Sequence, residues 1–161
     1  MTNADIAAGL SGRFPGSILS REEFRGDLTL VVAAADILPV CRFLKSEPGY
    51  EFTMVVDLCG VDTGRVEGRF EVVYNLYSLS GSRYLRLKTR VEQQDPALDS
   101  VTPVWSGANW HERETFDMYG IRFRGHPDLR RLYMPEEFAY HPLRKDFPLL
   151  GVPDSIPLPR P

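Results

Sequence analysis

The sequence predicts an α+β fold: a mixed sheet with helices packed on one face, followed by a long irregular Pro-rich C-terminal tail. Three observations carry this expectation. Residues 51–91 pass through three consecutive strand-like stretches joined by short glycine-containing turns. Upstream, apolar residues recur at helical spacing in 3–13 and again in 36–45. Beyond Gly120 both periods stop, and eight of the 13 prolines gather in 121–161.

The first element is a short helix over 3–13, with Ile6 and Leu10 on one face. "GSIL" and "LTLVVA" (28–33) predict two short strands joined by the charged turn "SREEFRGD". Asp36 can cap a helix to about Lys45, in which Ile37, Val40, Cys41 and Leu44 form the i, i+3, i+4, i+7 apolar stripe. Pro48-Gly49 ends it. "EFTMVVDLCGVD" (51–62) predicts a largely buried strand. "RFEVVYNLYSLS" (69–80) alternates Phe70, Val72, Tyr74 and Leu76 against Glu71, Val73, Asn75 and Tyr77. "YLRLKTRV" (84–91) sets Leu85, Leu87 and Val91 opposite Tyr84, Arg86, Lys88 and Arg90. Short connections make these three strands antiparallel, and the order α-β-β-α-β-β-β gives a sheet covered on one side.

Next comes "NWHERETFDMYGIRFRGHPDLRRLY" (109–133). Asn109 suits an N-cap and Glu112 the reciprocal capping-box position. Gly120 suits the left-handed stop. A helix over 110–119 follows, with Arg113 and Asp117 as an i, i+4 ion pair and Trp110, Glu114, Asp117 and Met118 on one broad face. The domain therefore spans 1–120. Residues 121–161 form an extended segment whose large apolar side chains, among them Phe123, Leu132, Tyr133, Phe138 and Phe147, need something to pack against. Part of the segment can cover this chain's own sheet, and a partner protein is the expected surface for a segment this long.

Composition narrows the function classes. The chain is 43% hydrophobic and 25% charged, with a formal net charge of −3. That argues against nonspecific nucleic-acid binding. No apolar run approaches a membrane span, and the N-terminus lacks a secretory signal, so a cytoplasmic protein is expected. Two cysteines, Cys41 and Cys59, and three scattered histidines give no cluster or zinc spacing. Both cysteines read as small packed hydrophobes.

The charged stretch invites enzymatic readings, and each meets an obstacle. "HERET" begins like H-E-x-x-H, but Thr115 stands where the second histidine belongs. Glu112 and Glu114 point about 200° apart on a helix; Glu114 and Asp117 can share a face, but capping and ion pairing account for them. Arg122, Arg124, Arg130, Arg131, Arg144 and Lys145 interleave with aromatics as in RNA binders. Acidic residues interrupt them, and no RNP or GXXG motif accompanies them. Protein–protein hot spots share that makeup. No phosphate-cradling glycine loop is present.

The residues of 112–134 resemble one family closely, the 30 kDa subunit of respiratory complex I, the proton-translocating NADH–quinone oxidoreductase. Its pattern is Glu-Arg-Glu, an acid after two residues, two apolar or aromatic residues, a His seven positions on, a basic residue and two apolar ones. Here these are Glu112-Arg113-Glu114, Asp117, Met118-Tyr119, His126, Arg130 and Leu132-Tyr133. "HPLRKDFPLLG" (141–151) resembles the family's second hallmark. The chain departs from the pattern after Gly151, where "VPDSIPLPRP" replaces a more charged, Tyr-containing segment.

The resemblance implies a non-catalytic member of the hydrophilic arm, peripheral on the cytoplasmic side of the inner (plasma) membrane. FMN, iron–sulfur clusters and quinone are expected on other subunits and no cofactor on this chain. Implied partners are the 49 kDa-type quinone-site subunit and neighbouring iron–sulfur subunits, with no nucleic acid. Glu112, Arg113, Glu114 and Asp117 are expected to anchor the helix and the following turn, with Gly120 ending the helix. His126-Pro127 and His141-Pro142 should fix extended turns. Arg130, Arg131, Arg144 and Asp146 should contact partners, with Tyr119, Tyr133, Phe138 and Phe147 as anchors. Equivalent subunits of related quinone reductases or membrane-bound hydrogenases are the first alternative, and an RNA-binding module is a distant second.

Overall fold

The computed structural model describes residues 1–152; the finish at 153–161 lies outside the described residues. Helix α1 (Asn3–Arg13) opens with a capping box. Thr2 Oγ1 accepts from Asp5 N, and the Asp5 carboxylate accepts from Thr2 N. A hairpin follows, β1 (Ile18–Phe24) and β2 (Asp27–Val32). Then come α2 (Ile37–Ser46), β3 (Met54–Asp62), β4 (Phe70–Ser78), β5 (Arg83–Val91), β6 (Ala97–Asp99), α3 (Ala108–Tyr119) and β7 (Arg122–Arg124).

The main sheet has the order β1-β2-β5-β4-β3. All pairs are antiparallel except β2 with β5, so the sheet is mixed, as expected. Ile6, Leu10, Val40 and Leu44 from α1 and α2 share one core with Leu58, Val72, Tyr74 and Leu87 of the sheet. On the opposite face Glu71 draws in Lys88 and Arg90. α3 packs on the same side as the other helices, against β3. Gly60 permits that approach: a Cβ there would stand 2.7 Å from Tyr119 Cδ2 and 2.9 Å from Thr115 Cγ2.

Several local expectations change. "SREEFRGD" is mostly strand: Ser20–Phe24 continue β1, and only Arg25-Gly26, both at positive φ, make the turn. A charged, exposed strand suits a sheet edge, where it discourages further pairing, and period alone hides it. Asp36 precedes α2 without capping it; its carboxylate accepts from Ser17 Oγ, and a 3-10 turn leads into the helix. β3 is half-exposed rather than largely buried, because it is the other edge strand. Regular structure also continues past Gly120. β7 pairs in parallel with β6, and Ile121 and Phe123 join the core.

Candidate functional site

α3 runs over 108–119, two residues earlier than expected, and Gly107 stands at its N-cap without a side-chain cap. Asn109 and Glu112 therefore form no capping box. Glu112 turns inward to full burial, accepting from Val101 N at 2.7 Å and meeting Ser100 Oγ at 2.6 Å. In sequence, a Glu three residues after an Asn looks the same in either role. Gly120 does end the helix, at φ 75°.

Three of the signature charges of α3, Arg113, Glu114 and Asp117, converge on the strap formed by residues 126–146. Asp117, fully buried, accepts from Leu132 N (3.0 Å), Tyr133 N (2.7 Å) and Met134 N (2.9 Å) on one oxygen and from Arg131 Nη1 (2.7 Å) on the other. Burial pushes its carboxyl up, but these four bonds outweigh it and hold the pKa below the ordinary value. Arg113 donates not to Asp117 but to the carbonyls of Arg130 and Arg131, each at 3.1 Å, and stacks over Trp110. Glu114 is exposed and accepts from the Tyr133 hydroxyl at 3.3 Å. The expected common face is thus split: Trp110 and Glu114 face out, Asp117 and Met118 face in.

The C-terminus of α3 shows why the strap stays. The last four carbonyls of a helix lack intrahelical donors. Here Gly120 N serves Phe116 O, His141 Nδ1 serves Asp117 O at 2.9 Å, Leu143 N serves Met118 O and Arg144 Nε serves Tyr119 O at 2.7 Å. A carbonyl only accepts, so Nδ1 of His141 carries the proton. Burial, with Arg144 and Arg131 nearby, lowers the His141 pKa. Pro142 follows in the same turn. His126 is held likewise: Nε2 donates to Asn109 O at 3.2 Å and Nδ1 accepts from Asp128 N at 3.0 Å. Pro127 beside it is exposed.

A second clamp holds the far end of the strap. Buried Arg69 donates Nε and Nη2 to Asp62 and Nη1 to Asp146 at 3.0 Å. Asp62 also accepts from Lys145 N at 2.8 Å and Gly64 N at 2.9 Å. The Arg69 bonds come first among the causes that hold Asp62 down to about 2. Asp62, Arg69 and Ser100 were not singled out in the sequence. "DTG" carried one signal, the Asx turn that Asp62 makes with Gly64. Its distant partners left no local trace.

Arg131, Arg144 and Asp146 are thus engaged within the chain, whereas the Arg130 side chain is 66% exposed and, among the described residues, meets only Asp128. Phe138 is buried, Tyr119 and Phe147 are half-buried, and Tyr133 is exposed. Trp110, Leu149 and Leu150 also stand open to solvent. Among the described residues, no His/Cys/Asp/Glu group is placed to hold a metal, and no helix is long and apolar enough to cross a membrane.

Known proteins resemble this chain over most of its length. The family described as "Respiratory-chain NADH dehydrogenase, 30 Kd subunit" matches residues 30–153. An NADH-quinone oxidoreductase subunit of Roseiflexus sp. (strain RS-1) is 48% identical over 149 residues, covering 92% of this chain and 86% of that protein. The subunit of the same name from Geobacter sulfurreducens is 46% identical, covering 92% and 90%. Among solved structures, a trypsin-resistant fragment (1-134) of Nqo5 is similar with TM-score 0.58 and 31% identity, covering 80% of this chain and all of the fragment. A chain of an archaeal respiratory membrane complex, the membrane-bound sulfane sulfur reductase, shares the fold with TM-score 0.74 at 23% identity, covering 91% and 86%. The chain belongs to the family of the 30 kDa subunit of respiratory-chain NADH dehydrogenase.

Proposed function

We propose that the chain is a non-catalytic scaffold in the hydrophilic arm of a membrane-bound NADH–quinone oxidoreductase. In that role it supports electron transfer from NADH to quinone, coupled to proton translocation. The observation that carries this reading is the use made of the signature charges. Asp117 and Arg113 of the signature, joined by Asp62 and Arg69 from outside it, spend their hydrogen bonds fastening a Pro-rich strap to α3 and β3. The fastened strap presents Arg130 and Tyr133 outward on the side of Trp110, and the chain just past it exposes Leu149 and Leu150. Arginine and large aromatics at a surface are the usual anchors of a protein interface.

In this reading the 49 kDa-type quinone-site subunit and neighbouring iron–sulfur subunits meet the exposed side of the strap. Arg130 makes direct contact; Arg131, Arg144 and Asp146 act through the strap they hold. FMN, clusters and quinone reside on those other subunits. Attachment to the membrane is peripheral, on the cytoplasmic side, and comes through the assembled complex.

The test is affinity capture of the tagged chain from solubilised membranes, with mass spectrometry and iron analysis. Co-elution of cluster-bearing and quinone-site subunits, with iron absent from the isolated chain, supports the reading. The co-eluting subunits also separate NADH–quinone oxidoreductase from a related quinone reductase or hydrogenase complex. Recovery of the chain alone, or with RNA, refutes it.

A further inference from the structure

Glu112 differs from the other charged groups of α3. Its side chain is fully enclosed, yet among the described residues no lysine or arginine pairs with it. Its neighbours come from four elements. Val101 N and Ser100 Oγ follow β6. Cys41 of α2 and Tyr74 of β4 are close enough to feel its charge, and the Tyr74 hydroxyl is buried without a partner. His126, after β7, places Nε2 3.9 Å from the carboxyl. Arg113, next on the helix, is committed to the strap carbonyls.

An ionised carboxylate in that setting has two hydrogen bonds and no cation, which is costly in a dry interior. The neutral acid keeps both bonds. Oε1 still accepts from Val101 N, and Oε2–H donates to Ser100 Oγ. The Ser100 proton then turns to Thr102 Oγ1, 2.7 Å away. Thr102 is partly exposed and lines an open groove with Pro103, Asn109 and Pro127. Three oxygens thus connect the buried carboxyl to the surface.

We infer that Glu112 is a buried proton-exchange site, which gains and loses a proton by way of Ser100 and Thr102. On release, the O–H bonds at Glu112, Ser100 and Thr102 break as new ones form at Ser100, Thr102 and a solvent water; no electrons are exchanged. His126 does not compete for the proton. Its Nε2–H is given to Asn109 O, and protonating Nδ1 would forfeit the bond from Asp128 N. Burial also pushes the Glu112 carboxyl up, to about 7, against the lowering by Ser100 and Val101. Proton uptake therefore removes the cost of a buried charge at the junction of β6 and α3.

The test is infrared spectroscopy of the full chain carrying ¹³C-labelled glutamate, with Glu112→Gln as reference. The expected result is a protonated-carboxyl band at mildly acid pH that disappears with a midpoint near 7 and is missing from the variant. The folded-state pKa is raised, so the associated stability is full below the unfolded value of 4.5 and is lost as pH rises through about 7. Relative to Glu112→Gln, the wild-type folding equilibrium should fall roughly fifty- to a hundredfold between pH 5 and 8. Thr102→Val should slow deuteration of the acid without moving its midpoint. A spectrum with no protonated band from pH 5 upward overturns the site, as does wild-type stability that parallels the variant at every pH. Unchanged deuteration in Thr102→Val overturns the route. Should the Gln variant fail to fold, the wild-type titration alone decides.

Discussion

Replacing Asp117 by alanine removes the centre of the strap clamp. The fully buried carboxylate serves three successive backbone N–H groups and the Arg131 guanidinium, at 2.7–3.0 Å. A hydrogen bond to a charged group contributes about 1.5–3 kcal/mol, but four donors on one carboxylate do not add. Residues 131–134 can also swing out and recover water for their N–H groups. Breaking a buried ion pair costs about 3–5 kcal/mol. We expect a loss near the lower end, about 3 kcal/mol, because the strap can relax. Asp117→Asn should fall between, since its oxygen can still accept from the backbone while its amide nitrogen faces Arg131. The assays are urea unfolding of the full chain and limited trypsin digestion, which reads cleavage after Arg130 and Arg131. The alanine variant should unfold at lower urea and be cut sooner at this pair, with the core fragment intact. Unchanged midpoint and unchanged protection would refute the claim that Asp117 holds the strap.

Other consequences are separable. Arg69→Met should cost about 3 kcal/mol, because it leaves buried Asp62 without its cation. Asp146→Ala should cost under about 1 kcal/mol, its side chain being 58% exposed. The two losses are compared by denaturant unfolding. Asp62 is lowered from 3.8 to about 2, so its contribution, on the order of 2 kcal/mol, is present above pH 3.8 and lost as pH falls through about 2. Acid titration of unfolding should show that loss in the wild type and not in Asp62→Asn. Gly120→Ala should lower the melting temperature and loosen the strap in hydrogen exchange. It strains a φ of 75° and puts a Cβ 2.5 Å from both His141 Nε2 and Arg144 Nη2. Gly60→Ala should cost about 1–3 kcal/mol by thermal melting, since its Cβ meets the Tyr119 ring and Thr115.

Residue order alone determined the elements whose cause is local. The stripe Ile37, Val40, Cys41 and Leu44 is buried as its spacing requires. The alternation of 69–91 gives two strands paired antiparallel, as expected, and Gly120 stops α3 because a left-handed residue is needed there. The family, too, could be read from the charged motif and the one that follows it. Tertiary structure alone decided what those charges touch. Lys145 N reaches Asp62 across 83 residues and Arg69 reaches Asp146 across 77, separations at which sequence spacing carries no geometric information. It also decided that Glu112 faces the core, that polar β1 closes one edge of the sheet, and that β2 joins β5 in parallel. A glutamate's neighbours are chosen by packing, and packing is settled only when distant segments meet.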